Sequence, residues 1–361
     1  MLKNGRINQF QLWLLIINYL IGSALIFVPG MVTSQSKQDS WISLLAAIGL
    51  GSLLLLILVM IANRFPNQTL VEISQTLFGK VFGTIIALIY ATYFILLSGI
   101  LLRELGDMIT TTVLKETPII AFIAMIGILV FFATKQGLET IGRINEIISL
   151  LAVGSVWLTI SLVIPLMKLE RLSPILTHGL KPIIKGSFTA LSFTYLEMTV
   201  FLMILPFLNI RKHLTRIVIS GGLVAGFSLF AIVVSTILVL NVRPTELSIF
   251  APLNMARLIN IGGFLTRIES FIILAYIITI FIKLVITFYA GVLSLTQIFK
   301  LTDYQPIVIP LLIITIALST SMIESITDFI DFITTTWFAY MLALGFILPL
   351  IMLGASYFKR K

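Results

Sequence analysis

Long apolar runs separated by short polar stretches dominate the chain from end to end. A helix needs about 20 apolar residues to cross the hydrocarbon of a bilayer. Runs approaching that length predict helices near residues 10–33, 41–62, 81–102, 118–134, 144–166, 186–208, 217–240, 268–298, 306–321 and 335–357. In lipid every backbone polar group must be satisfied within the protein, which favours helices as the spanning elements. The pattern therefore predicts an all-α, polytopic membrane protein of about ten transmembrane helices, in a single integral membrane domain over residues 1–361.

Two of these runs are interrupted. The first reads Asn18-Tyr-Leu-Ile-Gly-Ser-Ala-Leu-Ile-Phe-Val-Pro29, with Gly22 and Ser23 at mid-membrane and a proline further on. The sixth reads Tyr195-Leu-Glu-Met-Thr-Val-Phe-Leu-Met-Ile-Leu-Pro206, with Glu197 at mid-membrane and again a later proline. Both place Tyr-Leu just before the polar centre. Where a helix unwinds, the new N-terminus offers free N–H groups and a positive dipole end to an anion, and the freed carbonyls suit a cation or ammonium. Irregular segments at corresponding positions of two halves are a pointer to a transporter-type binding site. Glycine and proline also kink or pack membrane helices with no ligand involved, so pattern alone leaves both readings open.

Glu197 and Lys283 are ionisable residues set well inside apolar spans. A charge at the bilayer centre costs at least about 2.5–3.5 kcal/mol on insertion scales, so such residues face a cavity or a partner. Three arrangements are open: the two pair with each other, Lys283 faces a ligand carboxylate or replaces a bound cation, or Glu197 is protonated and hydrogen-bonded. Tyr93, and Thr287 with Tyr289, are weaker candidates that fit helix–helix contacts equally well. Arg103, Glu104 and Asp107 follow the third run and read as an outer-surface charged turn. Glu324, Asp328 and Asp331 recur at helical spacing and read as a solvated helix face.

Composition narrows the classes. The chain is 59% hydrophobic and 11% charged, against about half and a quarter in soluble domains. It has no cysteine, which excludes disulfides, thiol catalysis and cysteine-ligated metals. The two histidines, His178 and His213, sit beside basic residues in polar stretches and read as loop residues, so no metal or cofactor is expected. No nucleotide-binding glycine loop or serine nucleophile elbow occurs, and no enzyme is expected.

The net charge of +9 raises nucleic acid as a partner, but its placement favours membrane orientation instead. With a cytoplasmic N-terminus, the inner loops receive Lys3, Arg6, Arg64, Lys80, Lys135, Arg143, Arg211, Lys212, Arg216, Lys300, Lys359, Arg360 and Lys361 against Glu72, Glu139, Glu146 and Asp303. That distribution follows the positive-inside rule with both ends cytoplasmic. The first run is longer than a signal-peptide core and precedes no small-x-small cleavage site, so it is expected to be retained. Two longer loops, 167–185 with Pro174 and Pro182 and 241–267 with Pro244 and Pro252, are expected on the outer surface with short helices of their own, among them the amphipathic stretch 253–261.

The chain resembles the spore germination permease family, the B subunits of spore germinant receptors, within the amino acid–polyamine–organocation superfamily. The resemblance rests on the order of several features: Gly22-Ser-Ala-Leu-Ile-Phe-Val-Pro29; Lys115-Glu-Thr-Pro118; the stretch Leu172-Ser-Pro-Ile-Leu-Thr-His-Gly-Leu-Lys-Pro182; Glu197 with Phe201-Leu-Met-Ile-Leu-Pro206; and Arg267-Ile-Glu-Ser-Phe271 followed by Lys283. It implies a LeuT-like five-plus-five inverted repeat, here about residues 8–166 and 186–357. It further implies a spore inner-membrane complex with A and C receptor subunits and recognition of a small germinant such as an amino acid. The implied ligand site falls on Gly22, Ser23, Tyr195, Glu197 and Thr199, with Tyr93, Lys283 and Thr287 beside them. Ser23-Ala24 after Gly22 departs from a Gly-x-Gly form. A secondary amino acid transporter coupled to protons or sodium is the competing function, because one fold serves both.

Overall fold

A computed structural model describes residues 5–259, 267–322, 332 and 336–358. Glu324, Asp328 and Asp331, the two chain ends and the end of the 253–261 stretch lie outside the described residues. The elements are helices: α1 (Gln9–Ile21), α2 (Ala24–Ser36), α3 (Ser40–Arg64), α4 (Leu70–Thr112), α5 (Ile119–Gln136), α6 (Leu138–Val163), α7 (Leu180–Phe193), α8 (Phe201–Ile204), α9 (Leu214–Leu240), α10 (Val242–Leu247), α11 (Ala251–Ala256), α12 (Glu269–Ile298), α13 (Gln305–Ser321) and α14 (Phe338–Phe358).

All ten predicted segments are helical, but their lengths differ. Eight helical stretches among the described residues are long and apolar enough to cross a membrane, and α1 and α13 are shorter apolar helices. The break after Ile21 is the reason α1 falls short: its 13 residues span about 20 Å at 1.5 Å per residue. Only a 3-10 turn, Lys37–Asp39, joins α2 to α3.

Local chemistry fixes the helix ends. At α1, the Asn8 side chain accepts from Gln11 N (2.8 Å) while Gln11 Oε1 accepts from Asn8 N (3.0 Å), a reciprocal box that satisfies two orphan donors. Thr69 and Glu72 repeat the device at α4. Gly79 breaks α4 near its start with φ 80°, a left-handed conformation that side chains resist.

The broken segments lie at the centre. Residues Leu14 to Ser23 are buried without exception, as are Tyr195 to Leu205. Helix α12 packs chiefly against α4 and α6, α1 against α9, α6 and α12, and α2 against α7 and α10. The two broken segments are also stitched together at one end, where Ile7 N donates to Phe207 O (3.1 Å) and Asn209 N to Ile7 O (3.0 Å). The outer helices α5, α6 and α13 expose leucine and isoleucine, such as Ile147, Leu150 and Ile313, as suits a surface solvated by lipid. The chain is an integral membrane protein.

The first long loop is tied down by hydrogen bonds, and the described part of the second, residues 241–259, carries two short helices. Gln38 Nε2 donates to Pro174 O (2.7 Å) and Thr177 Oγ1 (2.6 Å), and the Asp39 carboxylate accepts from Leu176 N (3.1 Å). In the second loop α10 and α11 lie against α2, and Glu246 pairs with both Lys37 and Arg243.

One expectation is overturned. Arg103, Glu104 and Asp107 do not form an exposed turn, because α4 continues to Thr112 and carries them inside the protein. Arg103 Nε donates to Asp107 Oδ2 at 2.9 Å one turn on, and Glu104 is buried. Arg103 and Asp107 satisfy each other within a packed helix, so they do not need water to end it.

Candidate functional site at the broken helices

Helix α1 ends at Gly22, whose N–H reaches back to Asn18 O (2.9 Å) while its backbone leaves helical geometry (φ 8°, ψ −121°). Ser23 follows and α2 begins at Ala24. A glycine is needed at position 22 for space. A Cβ there would stand 2.6 Å from Lys283 Cδ and 3.1 Å from Tyr19 O. On the other segment α7 stops at Phe193, Thr194 turns the chain (φ −122°, ψ −91°), and Tyr195–Val200 continues as a 3-10 helix carrying Glu197.

Lys283 of α12 reaches into the gap between the two breaks. Its side chain is fully buried, and it forms an ion pair with Glu197. Its ammonium also donates to Ser23 Oγ (2.9 Å) and to the Phe193 carbonyl (3.2 Å). Thus one lysine joins both breaks through a hydroxyl, a carboxylate and the last free carbonyl of α7. The Tyr19 ring lies 5.4 Å from the ammonium, close enough for a cation–π contribution. The Tyr19 hydroxyl sits 3.2 Å from Thr287 Oγ1 and 3.4 Å from the Glu197 carbonyl oxygen. Thr287 in turn donates to Lys283 O (2.7 Å) one turn back along α12.

The ligand-site residues singled out in the sequence do not all converge. Gly22, Ser23, Glu197, Lys283 and Thr287 come together at the gap. Tyr93 stands at its side in an aromatic cluster with Phe94, Trp337 and Tyr340, its buried hydroxyl unpartnered. Thr199 is buried with an unpartnered hydroxyl. Tyr195 points elsewhere: its hydroxyl donates to Gly222 O (2.9 Å) and its ring fills the space over Gly51. It packs the break against α3 and α9.

Four contributors escaped the sequence reading. Tyr19 carried a signal, since it opens the Tyr-Leu pair that precedes the first break. The Phe193 carbonyl had none, because a free backbone acceptor is a property of where a helix stops. Trp337, which stands beside Glu197, sits where an aromatic near a span end reads as an interface anchor. Glu104 was read as a surface charge.

The sequence matches the model of the spore germination protein family over residues 6–329. The chain belongs to that family. Spore germination protein KB of Bacillus subtilis (strain 168) is 28% identical over 334 residues, covering 91% of this chain and 89% of the relative. Spore germination protein YndE of the same organism is 29% identical over 301 residues, covering 82% of each. Among solved structures, Mhp1, a nucleobase-cation-symport-1 family transporter with bromovinylhydantoin bound, aligns with a TM-score of 0.72 at 15% identity, over 97% of this chain and 78% of that one. MhsT in complex with L-phenylalanine aligns with a TM-score of 0.68 at 16% identity, over 96% and 97%. These likenesses establish the fold as that of LeuT-type transporters, all-α with broken helices at its centre.

Proposed function

We propose that this spore germination protein is the membrane-embedded, germinant-sensing subunit of a spore germination receptor, and that it binds a small germinant at the broken helices. The observation that carries this reading is the placement of Glu197 and Lys283, both buried, between two interrupted helices in a transporter-type fold. A zwitterionic amino acid is the ligand whose chemistry fits best. Its carboxylate suits the free N–H groups that open α2, or the Lys283 ammonium; its own ammonium suits Glu197 and the carbonyls freed at the breaks.

Binding must favour one conformation over another, or nothing is signalled. A ligand that inserts between Glu197 and Lys283 meets this condition, since the pair is whole only in its absence. Partner subunits of the A and C type would read the change, in the spore inner membrane, with both termini of this chain cytoplasmic. No catalytic role is assigned to any residue. The inverted-repeat boundaries near residues 8–166 and 186–357 remain part of this proposal.

The transporter neighbours support a second reading, secondary amino acid transport coupled to protons or sodium. Lys283, held by a hydroxyl and a carbonyl as a metal cation would be, favours a sodium-independent version of it. Germination of spores lacking this chain, across amino acids, nucleosides and sugars, separates the two. Loss of response to one ligand class, restored by the wild-type gene, is expected of the receptor. An unchanged response, with concentrative amino acid uptake by the chain alone in liposomes, contradicts it.

A further inference from the structure

Lysine has three N–H bonds to give. Those of Lys283 go to Glu197, to Ser23 Oγ and to the Phe193 carbonyl. A second carboxylate stands beside this set. Glu104 of α4 is 3% exposed, and its Oε2 has no hydrogen-bond partner. Ser23 Oγ accepts from Lys283 (2.9 Å), and Glu104 lies close to both.

Among the described residues, the groups facing Glu104 offer no further cation. On its own helix Arg103 is turned to Asp107 at 2.9 Å. From α12, Tyr276 approaches with a buried hydroxyl that also has no partner. Lys283 and Glu197 also lie close to it. Among the described residues this cluster thus holds one lysine against two carboxyl groups, and the lysine is engaged by one of them. A buried carboxylate without a counter-ion is so poorly solvated that it takes up a proton instead.

We propose that Glu104 is a proton-binding site coupled to the central pair: it stands as the neutral acid while Lys283 is held by Glu197, and ionises when Lys283 turns to it. This rests on the reading that a ligand acts at the broken helices. A primary ammonium that takes Glu197 releases Lys283 toward Ser23 and Glu104. The O–H bond of Glu104 then breaks, its electron pair stays on the carboxylate, and the proton leaves to water. The incoming ammonium and the departing proton offset each other, and a carboxylate on the same ligand is met separately by the free N–H groups that open α2. The ligand class is therefore a compound bearing a primary ammonium.

Infrared spectroscopy of the full chain in lipid nanodiscs at neutral pH, without ligand, tests the assignment. The carbonyl stretch of a protonated carboxylic acid in the wild-type spectrum is expected to vanish in Glu104→Gln. It is expected to shift but persist in Glu104→Asp, which guards against loss through misfolding. In Glu197→Gln it is expected to vanish as well, because Lys283 then turns to Glu104. Retention of the wild-type band in Glu104→Gln, or no acid band in the wild type, overturns the proposal. Since no ligand is present, that failure leaves germinant binding untouched, and the germination assay judges it separately.

Discussion

Glu197 and Lys283 illustrate how a buried pair is held by mutual need. Removing one partner strands the other, at a cost of about 3–5 kcal/mol, whereas replacing both with apolar groups of similar shape is often neutral. Lys283→Met is expected to lower the unfolding temperature of the purified protein more than Glu197→Gln, in which Lys283 has Glu104 to turn to, and the double variant to regain part of the loss. Strict additivity of the two effects would contradict direct coupling. Gly22→Ala places a methyl against the Lys283 stem, 2.6 Å from Cδ. It is expected to weaken the germinant response at a normal protein level, read by immunoblot beside a germination curve. At this scale the sequence was partly legible. Ionisable residues in apolar runs stand out, so Glu197 and Lys283 were visible. Tyr19 and Tyr195 precede the two breaks in identical dipeptides, yet one turns to the pair and the other to Gly222. That difference depends on which neighbour leaves room.

Among the elements, the breaks were readable because Gly22-Ser23 and the prolines interrupt apolar periodicity. The extent of α4 was not. Charges at the end of an apolar run normally mean water, and only the packed structure reveals that Arg103 and Asp107 answer each other inside the protein. Packing of the second break supplies a matched test on α3. A Cβ at Gly51 would lie 2.2 Å from Tyr195 Cγ, whereas at Gly49 nothing stands within 4 Å. Gly51→Ala forces a rigid ring to move, an overpacking cost of about 1–3 kcal/mol. Gly49→Ala relieves a flexible helix position and is worth about 0.5–1 kcal/mol in the other direction. Thermal unfolding in the same detergent is expected to order them Gly49→Ala at or above wild type and Gly51→Ala below. The reverse order would remove Tyr195 from its packing role.

For the whole molecule, hydropathy alone conveyed the class, an all-helical chain in lipid. The arrangement of helices came from resemblance, because nothing in local periodicity says which helix meets which. On the expected outer face Lys37, in the turn between α2 and α3, pairs with Glu246 of the second long loop. Glu246 keeps Arg243 as a partner when Lys37 is replaced, so Lys37→Cys is expected to fold. In intact cells it is expected to react with an impermeant maleimide, as both termini being cytoplasmic requires. Labelling only after permeabilisation would invert the topology.

In the proposed function a germinant acts through the buried pair at the broken helices. Its most direct test is the germinant dose–response of spores carrying Glu197→Gln, with the protein shown to be present at its wild-type level. The response is expected to be lost, or displaced to higher concentration, for one class of ammonium-bearing germinant and unchanged for germinants sensed elsewhere. A curve that superimposes on the wild type at every dose and for every germinant would contradict it.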